Sequence, residues 1–153
     1  MTTNSNEAAV RACLDEWLDA SRTMNLEALR TCYAPDMVSY DCHSAFQFRG
    51  IDAYSKHLEM CFSHMVAPAT IEVHELSITA DDHVAFCHMT MHCSCTSKSG
   101  SKHSSWLRST ACLRKIDGQW LIVHDHCSAP FDPMSEKAML NTGPQTVQQG
   151  HAA

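Results

Sequence analysis

Asp117-Gly118 marks a hairpin, and the run that leaves it constrains this chain more than any other stretch. A two-residue Asp-Gly link joins antiparallel strands because its backbone twist matches theirs. The following run, Trp120-Leu121-Ile122-Val123-His124-Asp125-His126-Cys127-Ser128-Ala129-Pro130-Phe131, then reads as a strand. Strand alternation groups Trp120, Ile122, His124, His126 and Ser128 on one face. Leu121, Val123, Asp125, Cys127 and Ala129 take the other. One face starts apolar and ends in two imidazoles and a hydroxyl, which is the pattern of a pocket wall.

The same period runs back to Pro68. Residues 71–79, 83–96 and 103–116 alternate, with Asp81-Asp82 and the Ser97–Lys102 stretch as turns, so four sequential antiparallel strands are expected. Before Pro68 the spacing is helical. Val10, Cys13, Trp17, Leu18 and Ser21 make one face of a helix over 6–22. Asn25 caps a short helix over 26–32. A strand over 37–41 follows, then a helix from Ile51 to Met65 with Tyr54, Leu58, Cys61, Phe62 and Met65 as its buried stripe. The expected fold is α+β: three N-terminal helices on a curved antiparallel sheet, enclosing a cavity. Residues 1–133 form that single domain, and 134–153, polar and without period, read as a mobile tail.

The chain has 153 residues and a formal net charge of -6, without a basic cluster, so no nucleic-acid partner is expected. No apolar run approaches the roughly 18 residues of a membrane span, and the polar start is unlike a signal peptide. Nine cysteines, an odd count set mostly within apolar patterns, read as buried hydrophobes of a cytoplasmic protein. Cys93-Ser94-Cys95 has no second knuckle of the zinc-ribbon kind. With no Gly-rich phosphate loop either, no cofactor is expected.

Three phrases carry a resemblance: Tyr33-Ala34-Pro35-Asp36, Phe48-Arg49-Gly50-Ile51-Asp52-Ala53, and Asp117 through His126. Together they resemble the SnoaL-like branch of the nuclear transport factor 2-like superfamily, which also contains ketosteroid isomerases. The resemblance implies the cone-shaped α+β fold, a pocket at its open end, and a homodimer through the outer sheet face. It also implies that Asp41 stands where isomerases place their general base. Trp17 stands where they have a tyrosine phenol, and His103–Leu113 offers no carboxyl as a second oxyanion donor. Steroid isomerisation is therefore not implied.

The period-two reading turns His88, Thr90 and His92 to one face and Trp106, Arg108 and Thr110 to one face of the next strand. If these meet His124 and His126 inside the cone, the site has Asp41, His124 and His126 as acid–base groups. Arg108, His88 and Thr90 then contact a small-molecule ligand, and Trp17, Phe48, Phe62 and Trp106 supply apolar wall. The opposite faces, with Cys87, Met89, Met91, Cys93 and Cys95, would form the dimer interface. Each residue also has a plain structural role open to it: Asp41 as a solvated carboxylate, the histidines as hydrogen-bonded framework, Arg108 paired with Asp41 or Asp125. The pair His124-x-His126, about 6.6 Å apart along the strand, could chelate with His88, His92 or Asp41. No fixed spacing supports a third ligand, so no metal is expected. Two functions stay open, a cofactor-independent isomerase or lyase and a ligand-binding or dimerisation module without turnover.

Overall fold

The computed structural model describes residues 5–144. The chain runs α1 (Ser5–Arg22), α2 (Leu26–Thr31), β1 (Tyr33–Tyr40), β2 (Phe48–Arg49), α3 (Ile51–Ser63), β3 (Met65–Ala80), β4 (Val84–Ser97), β5 (Lys102–Ile116) and β6 (Gln119–Ser128). Two short strands follow, β7 (Phe131–Asp132) and β8 (Lys137–Ala138). Local chemistry explains several boundaries. The Asn25 side chain accepts the amide of Ala28 at 3.1 Å, the expected cap of α2. Asp117 and Gly118 have φ of 50° and 83°, the paired positive values of a tight hairpin turn.

The main sheet has the order β2-β1-β6-β5-β4-β3. It is mixed: β1 runs parallel to β6 and the other neighbours are antiparallel. The expectation of a wholly antiparallel sheet is thus corrected, since β1 is joined to β6 only after all the other strands and returns in the same sense. The helices are three, and α3 follows β1 as the expected order has it, with the short β2 between them. The third helix is shorter than the expected Ile51–Met65: α3 stops at Ser63, and β3 starts at Met65 and runs through Pro68 at the sheet edge, where a missing N–H is tolerated.

The helices cover one face of the sheet. Val10, Leu14, Tyr54 and Ile51 pack there with Met37, Cys87, Met89, Met91, Leu107, Leu113 and Ile122. The β4 face expected to form a dimer interface is therefore the core itself. Cys87, Met89 and Met91 are buried and Cys93 and Cys95 half-buried, whereas His88 is exposed. Alternation was the right period; the apolar member of each pair went inside because burying it removes more apolar surface from water. Of the expected tail, 145–153 lies outside the described residues. Its nearer part contributes β8, which pairs with β7, and the Leu140 carbonyl accepts the Trp106 amide at 2.7 Å.

Candidate functional site

One irregularity decides what the site contains. Between β5 and β6 the pairing steps from Leu113↔Ile122 to Cys112↔His124, leaving Val123 as an extra residue on β6. Such a bulge inverts which side chains face the core beyond it. Trp120 and Ile122 are buried before it, and Asp125 and Cys127 take the helix-covered side after it. His124 and His126 go to the open face, where both sit edge-on to Tyr40 at 4.8 and 5.7 Å. His124 Nδ1 also lies 2.8 Å from the Val38 carbonyl oxygen.

The expected grouping of the polar strand residues survives, on the opposite side of the sheet. His88 pairs with Thr110, and Thr110 with His126. Thr90 pairs with Arg108, and Trp106 is packed between His92 at 4.7 Å and His74 at 5.2 Å. His88, Thr90, Trp106, Arg108 and His124 therefore do not converge with Asp41 in an interior site. Phe62 is half-buried at the end of α3.

What does converge on the covered side is a network of phenols and carboxylates. Trp17 donates its indole N–H to the Tyr33 hydroxyl at 2.9 Å, and Tyr33 donates to Asp125 Oδ2 at 2.9 Å. Tyr54 donates to Asp41 Oδ2 at 3.1 Å, and the buried His57 presents Nε2 to the same oxygen at 3.6 Å. The two tyrosine rings meet edge to face at 5.7 Å, and Phe48 stacks on His57 at 4.5 Å. Tyr54 and His57 are three apart on α3 and so share its inner face. Ser39 lies opposite Asp125 in the β1–β6 register, and residue 41 comes one pair further along the same face.

The two carboxylates are pulled in opposite directions. Burial raises the pKa of Asp125, outweighing the Ser39 and Tyr33 hydroxyls, and the charge of Asp41 adds to the rise. Asp125 Oδ1 is buried and makes no hydrogen bond, although the Ser39 hydroxyl is near enough to the carboxylate to favour its charge. Burial also works against ionisation of Asp41, but His43 overcomes it: its backbone N–H lies 3.0 Å and its Nδ1 3.2 Å from Asp41 Oδ1. The carboxylate holds the His43 imidazole protonated, up to about 10.

Beside this pair, a cleft of about 690 Å³ opens between the 41–46 loop and the C-terminal hairpin. Asp41, Cys42, His43 and Cys127 give it a polar end, and Tyr40, Phe46, Ala129 and Leu140 an apolar wall. His126 reaches it from the open face, so Asp41 and His126 share this cleft although they do not share a face of the sheet. Cys127 lowers the Cys42 thiol to about 5, and His43 assists. Burial carries Cys13 to about 12 and Cys87 and Cys93 to about 11. At pH 6.5 iodoacetamide should therefore label Cys42 at least about tenfold faster than Cys13, Cys87 or Cys93, since the thiolate is the nucleophile. Peptide mapping of a time course checks this, and equal labelling would contradict it.

The SnoaL-like domain family matches residues 10–132. An NTF2-like protein of unknown function from Pseudomonas putida KT2440 is 31% identical, with a TM-score of 0.84 over 93% of this chain and 99% of that one. The chain belongs to the SnoaL-like family. A ketosteroid isomerase-like protein from Erwinia carotovora atroseptica (20% identity, TM-score 0.71, 82% of this chain and 97% of that one) shares the fold. So does a cystatin-like-fold protein from Caulobacter vibrioides (16% identity, TM-score 0.70, 86% and 94%). No curated protein matches the chain. This SnoaL-like chain thus has an NTF2-like fold, and among its described residues no helix is long and apolar enough to cross a membrane.

Proposed function

We propose that this SnoaL-like protein binds a small carbonyl-containing molecule in the cleft and moves a proton on it, as an isomerase or lyase. Asp125 is the acid–base group and Asp41 its fixed charged neighbour. The observation that carries this reading is Asp125 Oδ1, a buried carboxylate oxygen without a hydrogen-bond partner inside an otherwise connected network. A carboxyl whose proton affinity is raised suits proton transfer near neutrality better than an ordinary one. Pairs of carboxylates pushed apart in this way are how acid and base roles are separated. A ligand seated against Asp41 and Cys127 is one residue pair from Asp125 along β6. Burial keeps Tyr33 and Tyr54 as neutral donors beside it. Asp41 itself is a weak base here, because His43 and Tyr54 occupy both its oxygens.

That last point also favours the second reading, a binding module without turnover. Proton exchange separates the two. Cyclic ketones and β-hydroxy carbonyl compounds, screened in D₂O by NMR, should lose α-protons in the presence of the protein. Compounds whose signals shift on binding, yet exchange no faster than in buffer, would leave only the binding module.

We also infer that the protein is a cytoplasmic homodimer. Its nine unbonded cysteines fit a reducing compartment. Phe86, half-exposed on the open sheet face, fits an interface. Light scattering should report a dimer that Phe86→Glu converts to monomer; a native monomer at micromolar concentration would oppose it.

A further inference from the structure

We propose that Asp41 Oδ1, Cys42 Sγ and His43 Nδ1 form a binding site for a thiophilic divalent ion, Zn²⁺ by preference, at the rim of the cleft. Three different donor atoms from three consecutive residues lie within 4.8 Å of one another. Asp41 Oδ1 is 3.2 Å from His43 Nδ1, and Cys42 Sγ is 3.4 Å from the same nitrogen. Zinc bonds of about 2.0–2.2 Å to nitrogen and oxygen and 2.3 Å to sulfur, set at tetrahedral angles, separate such donors by about 3.4 and 3.6 Å. The separations already present therefore match two edges of the coordination tetrahedron to within about 0.2 Å.

The surroundings fit a metal as well. Asp41 is oriented from the buried side, because Tyr54 holds Oδ2 at 3.1 Å and His57 faces it at 3.6 Å, leaving Oδ1 to the loop. Outer partners of this kind fix ligating carboxylates in metal sites. Cys42 and His43 are exposed, so an ion has direct access from solvent. The cleft that all three residues line also holds Cys127, another soft donor. A sulfur, nitrogen and oxygen set selects zinc over magnesium or calcium, which take oxygen. Binding would take Cys42 as its thiolate and displace the His43 imidazolium proton to solvent. The site goes beyond the acid–base reading, which needs only Asp125 and its neighbours.

Cobalt substitution tests it on the full chain, kept reduced and freed of metal with a chelator. One equivalent of Co²⁺ should give the intense visible d–d bands of a tetrahedral ion and a thiolate-to-cobalt charge-transfer band in the near ultraviolet, both abolished by Zn²⁺. Cys42→Ser should remove the charge-transfer band and weaken Zn²⁺ at least about 100-fold, and His43→Ala should weaken it at least about tenfold. Cys112→Ser, a half-buried thiol on the open face, should change neither. Both loop residues are exposed, so circular dichroism should show these variants folded. A weak octahedral spectrum, no saturable binding at micromolar protein, or a charge-transfer band that survives Cys42→Ser would overturn the site. Because the readout uses no substrate, its failure leaves the proton-exchange reading standing. Asp125→Asn should keep the cobalt spectrum.

Discussion

Asparagine in place of Asp125 is expected to make the protein more stable at pH 7 while lowering carbonyl α-proton exchange at least about 100-fold. The two effects share one cause. Burial raises the carboxyl's pKa above its ordinary 3.8, so the fold holds its ionised form at a cost that the unfolded chain does not bear. Below that ordinary value the carboxyl is protonated in both states, and wild type and variant should be equally stable. As the pH rises, the unfolded chain releases its proton first. Wild type therefore loses stability from about 3.8 up to the raised pKa, and asparagine has no proton to lose. The amide oxygen can still accept the Tyr33 hydroxyl that now lies 2.9 Å from Oδ2, so the network keeps its geometry. Thermal melts at pH 3.5 and pH 7, with NMR exchange rates alongside, check the pair. A variant less stable than wild type at pH 7 would mean that the carboxylate is held by favourable contacts rather than strained by burial.

Local signals were legible in the sequence where one segment alone decides them. The Asn25 cap and the Asp117-Gly118 turn each follow from residues a few positions apart and stand where the spacing put them. The face of α1 is only partly as expected, with Leu14 and Ala20 buried beside Val10 and Leu18 and with Cys13, Trp17 and Ser21 half-buried. The candidate site was less legible because three long-range events build it. The bulge at Val123 has no local residue signature, yet it exchanges His124 and His126 for Asp125 and Cys127. The parallel return of β1 beside β6 sets Ser39 opposite Asp125, and no turn links the two. Tyr54 and His57 are visible as helix neighbours, but their meeting with Asp41 depends on how α3 docks against β1. Asp41 was accessible to family resemblance. Tyr33 was in a phrase that carried the resemblance, and only the structure shows that its hydroxyl links Trp17 to Asp125. Cys42 and His43 carried a signal in their spacing to Asp41, three metal-binding side chains in a row, at a strand end where a turn can fold them together.

Met91→Glu and His88→Glu, three residues apart on β4, should differ by at least about 3 kcal/mol in stability. Met91 is 4% exposed and packs in the core with Met89 and Leu107. A carboxylate there must either ionise in an apolar interior or stay protonated without a partner, and it forfeits the methionine's packing as well. His88 is exposed beside Thr110 and Ser77, where a carboxylate keeps its water and should cost no more than about 0.5 kcal/mol. Urea titrations give both values, with the slope of each curve checking that unfolding stays two-state. The comparison is also a direct test of which way the sheet faces. If Met91 lay in a subunit interface, its substitution would yield folded monomers whose own unfolding midpoint no longer depended on protein concentration. With Met91 under the helices, the variant instead unfolds at low urea at every concentration, and the folded form it leaves behind has the same mass as wild type.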